Sequence, residues 1–349
     1  MSCCIKIGRR VIGSGHPAYI IAEISANHGH KFEKAVEIIG AAKDAGADAV
    51  KLQTYTPDTI TIDCDNEYFM IKGTIWKGKN LYKLYGEAYT PWEWQPKLKK
   101  IADKLKIDLF STPFDPASVD FLRKMNVPAF KVASFELVDI PLIRKIARAG
   151  KPVIMSTGMA TMPEICDAVK AARAEGNNQL ALLKCTSEYP ADPNDMNLRT
   201  IPDMKRKFGT VVGLSDHTLG IAASVAAVTL GANIIEKHVT LSRKEPGPDS
   251  SFSLEPSELE ELVKEIRTAE SALGKVSYTF TSKEKATRIF RRSLFVIKDI
   301  GKGEPFTGEN VRSIRPGHGL PPKYFDMVIG RKASCSISRG TPLSRKMIG

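Results

Sequence analysis

One order repeats eight times along this chain: a short run rich in β-branched and apolar residues, a turn, then an amphipathic stretch with helical spacing. The runs read YIIAEIS at 19–25, AVKLQTY at 49–55, DLFSTPF at 108–114, AFKVAS at 129–134, PVIMSTG at 152–158, QLALLKCT at 179–186, VVGLSDH at 211–217 and NIIEKHVT at 233–240. Between them lie segments such as KFEKAVEIIGAAKDAGA at 31–47 and PEICDAVKAARAEG at 163–176, with apolar residues three and four apart and glycine near the end. Strands that alternate with helices run parallel, because each helix carries the chain back across the sheet before the next strand begins. Eight such units predict a closed (β/α)8 TIM barrel, and the stretch from about 255 to 273, opened by Pro256 and Ser257, supplies its last helix.

The chain has 349 residues, more than the roughly 250 of a plain barrel. Residues 1–18 predict a hairpin with a Gly-Ser-Gly turn at 13–15 that caps the barrel floor, so the barrel domain covers 1–274. Residues 58–91 are too long for a simple connection and predict small elements or a functional loop. Residues 275–290, polar and basic, predict a linker. Residues 291–349 alternate β-type runs with Gly and Pro turns, a small all-β domain. Charge is uneven: 281–349 hold 15 Lys or Arg against 5 acids, while the remaining 36 and 34 nearly cancel. A basic module favours an anionic partner, yet this one has no aromatic RNA-binding signature or zinc spacing, which argues against nucleic acid. No signal-peptide pattern and no run of roughly 18 apolar residues is present, so the expectation is a soluble, cytoplasmic protein that does not engage a membrane. Cys3, Cys4, Cys64, Cys166, Cys185 and Cys335 show no CxxC spacing and predict reduced thiols.

In such barrels the working groups sit at the C-terminal ends of the strands. Here the strand ends carry Glu23, Asn27 and His28; Lys51 and Gln53; Ser111, Thr112 and Asp115; Lys131, Ser134 and Glu136; Ser156 and Thr157; Lys184, Thr186, Ser187 and Tyr189; Ser215, Asp216 and His217; and Glu236, Lys237 and His238. One polar strand end is a satisfied core group. Eight together are hard to explain by stability alone. A lone His at a strand end is more often a hydrogen-bonding residue than a ligand, but His217 and His238 end adjacent strands about 4.8 Å apart. Side chains alternate along a strand, so Ser215 shares a face with His217 and Glu236 with His238. Two imidazoles with oxygen ligands suit Mn²⁺, Zn²⁺, Fe²⁺ or Co²⁺. Convergent lysines and hydroxyls suit a dense anion such as phosphate. By parity Lys51 and Lys131 are the better candidates, and Lys184 and Lys237 the weaker.

The motifs EISANHGH at 23–30, KLQ at 51–53, STPFD at 111–115, KVASFE at 131–136, STGM at 156–159, GLSDHT at 213–218 and IEKHVT at 235–240 give the chain a resemblance to the sialic acid synthases over nearly its whole length. RRSL at 291–294 and RPGHG at 315–319 look like the antifreeze-like (SAF) domain those synthases carry. Within the family, KGTIWKGKNLYKLYGEAYTPWEW at 72–94 and PGPDSSFSL at 246–254 are similar to the pseudaminic acid synthases. Ser250 and Ser187 stand where N-acetylneuraminate synthases usually have His and Asn.

The resemblance implies an enzyme that condenses phosphoenolpyruvate with an acylated amino-sugar, here 2,4-diacetamido-2,4,6-trideoxy-altrose; N-acetylneuraminate or legionaminate formation is the alternative. It implies that His217 and His238 hold the metal, with Mn²⁺ expected and Mg²⁺ or Co²⁺ possible. Glu23, Glu136 and Glu236 are the expected acid–base groups. Lys51, Gln53, Thr112, Lys131, Ser134, Ser156, Ser187, Tyr189, Ser215, Asp249 and Asn27 are expected to bind substrate, and Tyr68, Phe69, Trp76, Tyr82, Tyr89, Trp92 and Trp94 to offer an apolar pocket or a small core. It also implies a homodimer with a swapped C-terminal domain whose Arg315 reaches the acylated sugar. Two other classes stay open on the residues themselves: a Schiff-base aldolase using a strand-end lysine, and a non-catalytic polyanion-binding module.

Overall fold

The computed structural model describes residues 4–72, 76–245 and 247–349, so Cys3, residues 73–75 of the 72–94 motif, and Pro246 of the 246–254 motif lie outside the described residues. β1 (Cys4–Ile7) and β2 (Arg10–Gly13) form an antiparallel hairpin. Its turn is Gly8–Arg9, not the Gly-Ser-Gly at 13–15, which instead begins on the last residue of β2. Gly8 has φ +53°, and a Cβ there would collide with the Asp108 carboxylate. The hairpin packs under the barrel floor through Arg10 to Asp48 at 2.7 Å and Lys205 to the Ser14 hydroxyl at 2.7 Å.

Eight strands follow: β3 (Tyr19–Glu23), β4 (Ala49–Thr54), β5 (Asp108–Pro113), β6 (Phe130–Val132), β7 (Val153–Ser156), β8 (Leu180–Cys185), β9 (Val211–Asp216) and β10 (Ile234–His238). They pair in parallel and in sequence order, and β10 closes on β3. All eight fall within the runs read from the sequence. Each is buried along almost its whole length, as expected for strands with side chains filling the barrel on one face and helices on the other.

The helices owe their positions to the same periodicity. Phe32–Asp44 buries Ala35, Ile38, Ile39 and Ala42 on one stripe, and each large aliphatic side chain so buried contributes roughly 1.5–3 kcal/mol. Met162–Ala174 starts at a reciprocal cap between Thr161 and Glu164. Pro256–Leu273 begins with proline at its first position and ends the barrel unit, which spans Met1–Gly274. Residues 58–91 contain a 3-10 turn at Glu67–Phe69 and a helix at Leu81–Ala88. Asn80 caps that helix by accepting from the amides of Tyr82 and Lys83 at 2.8 and 3.3 Å.

The second unit is Lys275–Gly349. The stretch read as linker is not featureless: Ser282–Thr287 is helical, capped by Thr281 and Glu284, and Arg288–Phe290 is a 3-10 turn. β11 (Ser293–Val296) pairs antiparallel with β12 (Val311–Ile314). Leu294, Val296, Ile300, Phe306, Val311, Val328, Ala333, Ile337 and Leu343 form a separate small core. Among the described residues no helix is long and apolar enough to cross a membrane.

Candidate active site at the strand ends

Register brings the charged residues into one layer. His238 lies opposite Glu23 across β10 and β3, and Glu23 opposite Lys51 across β3 and β4. Glu236 lies opposite Ser215 across β10 and β9. The parity that puts Glu236 and His238 on one face therefore joins four strands into one cluster. Lys51 Nζ sits 2.6 Å from Glu23 Oε2, 3.7 Å from Glu236 Oε1 and 3.3 Å from the Thr112 hydroxyl. Lys131 Nζ donates to the Ser156 hydroxyl at 2.7 Å and to the Val132 carbonyl at 3.0 Å, and lies 3.8 Å from Glu236 Oε1. Ser215 donates to Glu236 Oε1 at 3.2 Å. Glu236 Oε2 is buried with no hydrogen-bond partner among the described residues.

The charges in this cluster are held apart by environment. Burial alone would raise Glu236, but Lys131, Lys51 and His217 outweigh it and keep the carboxyl below its ordinary range. Burial raises Glu23 to about 7, opposed by Lys51 and reinforced by the charge of Glu236. One carboxylate is thus ionised while its neighbour takes a proton near neutrality, the division of labour an acid–base pair needs. Burial would lower Lys51, yet Glu23 and Glu236 hold it above its usual value.

The lysines treated as weaker by parity face elsewhere. Lys237 makes a buried pair with Asp216 at 2.9 Å. Lys184 donates to the Cys185 carbonyl at 2.8 Å and to the Thr186 hydroxyl at 3.3 Å.

The two imidazoles lie with ring centres 5.5 Å apart. His217 Nδ1 is 2.9 Å from the Thr186 carbonyl, an acceptor only, so that nitrogen carries a proton and Nε2 is the one left to face a ligand. Burial would lower His217, but Cys185 and the Thr186 carbonyl outweigh it and hold the imidazole above its ordinary value. His238 Nδ1 is buried without a hydrogen-bond partner among the described residues. Burial, then His217 and the nearby lysines, hold His238 well below its ordinary value and therefore neutral. His238 offers a neutral lone pair and His217 Nε2 offers one in its deprotonated form, a pair that fits a divalent ion. Among the described residues no three His, Cys, Asp or Glu gather as a metal-binding group. The chain would therefore supply two imidazoles and leave the remaining positions to substrate and water, an open arrangement.

Around this centre the other expected residues divide. Gln53 Nε2 donates to Glu23 Oε1 and to the Ser25 hydroxyl, both at 3.0 Å. Ser25 in turn bonds Asp249, whose carboxylate also faces the Ala26 amide. Asp249 is thus tied to the loop after β3. The Asn27 amide donates to the Val239 carbonyl and the Ser253 hydroxyl at 2.8 Å, which pins the same two loops together and leaves its Oδ1 as the group able to meet a ligand. Ser134 accepts from the Gly158 amide at 3.1 Å, and a Cβ at position 158 would strike the hydroxyls of Ser187 and Ser134. Only glycine lets these two hydroxyls converge with a backbone N–H. Glu136 is half-buried, and burial raises it to about 7 despite Lys131. His28 is a structural residue: it meets the Thr90 hydroxyl at 3.0 Å and accepts from the His30 amide at 3.1 Å.

Tyr189 lies tilted over His217 at 4.3 Å, and Phe252 packs 5.2 Å from Tyr189 and 5.1 Å from His238. Of the seven aromatics proposed for a pocket, Trp92 packs on Phe121 at 4.8 Å, Trp94 on His28 and Phe32 at 5.7 Å, and Tyr89 on His30 at 5.0 Å. Tyr68 is 82% exposed. Trp76 alone among these packed rings reaches Tyr189, at 5.6 Å. The roles of Ser25, Gly158 and Phe252 were not assigned from sequence, although all three lie inside quoted motifs. Arg315 belongs to the second unit and is exposed.

A closed parallel barrel with this polar layer at its strand ends, followed by a small antiparallel domain, defines a barrel enzyme of the sialic-acid-synthase type. The chain belongs to the NeuB family, whose profile matches residues 38–278, and residues 291–349 match the SAF domain. It is 46% identical over 327 residues to the pseudaminic acid synthase of Campylobacter jejuni, covering 94% of this chain and 95% of that one. It is 44% identical over 329 residues to the pseudaminic acid synthase of Helicobacter pylori, covering 94% and 97%. Among solved structures, the spore coat polysaccharide biosynthesis protein SpsE of Bacillus subtilis aligns with TM-score 0.69 and 35% identity over 99% of both chains. The N-acetylneuraminic acid synthetase of Leptospira borgpetersenii aligns with TM-score 0.73 and 34% identity over 82% of this chain and 95% of that one.

Proposed function

We propose that the chain is a cytoplasmic pseudaminic acid synthase: it joins phosphoenolpyruvate, water and the open-chain aldehyde of 2,4-diacetamido-2,4,6-trideoxy-β-L-altropyranose to give pseudaminic acid and phosphate. The observation that carries this reading is the 44–46% identity to pseudaminic acid synthases over at least 93% of the chain. The site chemistry is consistent with it. C3 of phosphoenolpyruvate bonds to the aldehyde carbon, whose oxygen takes a proton. C2, left electron-poor, is attacked by water, which gives up a proton. The resulting tetrahedral carbon then loses phosphate by breaking its C–O bond.

Lys51 and Lys131, with Thr112, Ser134, Ser156, Ser187 and Ser215, are the donors for the phosphate and carboxylate of phosphoenolpyruvate. Glu23 and Glu236 form the acid–base pair beside them, Glu136 handles the protons of the attacking water, and Asn27, Gln53, Tyr189 and Asp249 shape the sugar side. A divalent ion, expected to be Mn²⁺, would be held by His217 and His238 and would supply Lewis-acid polarisation of the aldehyde. The active form is proposed to be a homodimer in which Arg315 of one chain serves the site of the other.

The test is phosphate release from phosphoenolpyruvate by chelated and Mn²⁺-restored enzyme, against the diacetamido trideoxy sugar, other diacetamido hexoses and N-acetylmannosamine. Turnover should need the metal, vanish in His217→Ala and His238→Ala, and favour the trideoxy sugar in kcat/KM. Preference for N-acetylmannosamine would remove the pseudaminic assignment. Full turnover without metal would remove the two-histidine centre.

A further inference from the structure

Among the described residues, the long connection after β4 places Trp76 against the site. Its indole N–H donates to the Pro248 carbonyl at 3.1 Å, on the connection that follows β10. Its ring meets Tyr189 at 5.6 Å and 54°. Tyr189 lies on His217, and Phe252, 2% exposed, bridges Tyr189 and His238. Trp76, Tyr189 and Phe252 thus form an unbroken aromatic run bordering both imidazoles. The titratable groups Glu23, Lys51, Lys131 and Glu236 form the adjoining part of the strand-end layer.

The two surroundings ask for different ends of the reacting pair. Phosphoenolpyruvate is anionic throughout and belongs with the lysines. The aromatic run suits the part of the sugar that has lost its hydroxyl. With its N–H directed to Pro248, the indole ring itself offers a hydroxyl pressed against its carbon faces no donor or acceptor in place of the water given up. A methyl group packs there without that loss.

Resting on the reaction proposed above, we infer that Trp76 is a specificity-determining residue, whose ring face packs on the C6 methyl of the sugar and selects the 6-deoxy substrate over its 6-hydroxylated counterpart. The loop anchor at Pro248 holds the ring in place. The ring face does the selecting.

The experiment uses full-length enzyme with Mn²⁺ and saturating phosphoenolpyruvate. Wild type, Trp76→Phe, Trp76→Leu and Trp76→Ala are compared on 2,4-diacetamido-2,4,6-trideoxy-altrose and on the same sugar carrying a 6-hydroxyl. Trp76→Ala should raise the KM for the 6-deoxy sugar and shrink the preference for it by roughly 10- to 100-fold. Its kcat and its KM for phosphoenolpyruvate should stay within about threefold of wild type. Trp76→Phe, which keeps a ring face but loses the donor to Pro248, should retain most of the preference, with Trp76→Leu between the two. An unchanged preference in Trp76→Ala overturns the inference alone. So does a parallel change in the KM for both substrates, which would mark a loop-holding role. Wild-type enzyme that releases no phosphate with either sugar overturns the reaction and the inference together.

Discussion

Glu136 carries a carboxylate oxygen, Oε2, that is buried with no hydrogen-bond partner among the described residues. Burial raises the group from 4.5 to about 7, against the pull of Lys131 and its own backbone. The folded chain therefore holds this proton more tightly than the unfolded chain does. Its contribution to stability is fully present below the unfolded value and is lost as pH rises through 7. Glu136→Gln removes the ionisation, so the variant should gain stability relative to wild type at pH 8 and not at pH 4. The gain should be on the order of 2 kcal/mol after allowing for partial exposure. Thermal midpoints at the two pH values read this directly, and a pH-independent difference would show that burial does not set the group's titration. The same substitution should leave only the Glu23 contribution near neutrality in the pH profile of kcat/KM, because both groups titrate near the working pH and are suited to pass protons.

Among the elements, β6 and β10 show how one residue type does two jobs. Lys131 on β6 faces the strand-end cluster, whereas Lys237 on β10 faces outward and pairs with Asp216 beneath the helices. Removing one partner of a buried pair costs about 3–5 kcal/mol. Lys237→Met should therefore lower the unfolding free energy by that order and leave the KM for phosphoenolpyruvate nearly unchanged. Lys131→Met should do the reverse, raising that KM more than about tenfold with a smaller loss of stability. Thermal unfolding and saturation kinetics on the two variants decide it, and an exchanged pattern would undo the assignment of faces. That assignment was legible in the sequence, because a strand's two-residue period fixes which side chains share a face once the strand is placed. The eight strands were legible for the same reason. The hairpin turn was not: Gly8 is required by Asp108, about a hundred residues away, and no local pattern reports that contact. Nor could spacing separate Trp76 from Trp92 and Trp94, since their partners Tyr189, Phe121 and His28 lie on other elements. The helix at Ser282–Thr287 did leave a signal, a Thr-x-x-Glu cap at 281–284, inside a stretch whose polarity otherwise reads as a connection.

For the whole molecule, the path of the chain bears on the proposed dimer. Pro256–Leu273 runs against the strands, as every barrel helix does, so the barrel unit ends on the floor side while the acid–base cluster lies at the opposite, strand-end side. Residues 275–290 could extend about 50 Å at most, and with 282–287 helical only about 40 Å. Such a tether bounds the reach of Arg315, which the proposed dimer directs to a neighbour's strand ends. Its guanidinium offers five donors in a fixed plane, which suits the carbonyls and hydroxyls of an acylated sugar. Two single variants separate the arrangements. His217→Ala disables a barrel, and Arg315→Ala disables a C-terminal domain. When each is purified, dissociated mildly and reassembled with the other, a dimer that shares Arg315 across chains gains one site with an intact barrel and an intact arginine. Equal mixing should then restore roughly a quarter of wild-type activity, since half the dimers are hybrids and each hybrid has one competent site. If Arg315 acts within its own chain, every hybrid site lacks one of the two residues, and phosphate release stays at the level of the unmixed variants.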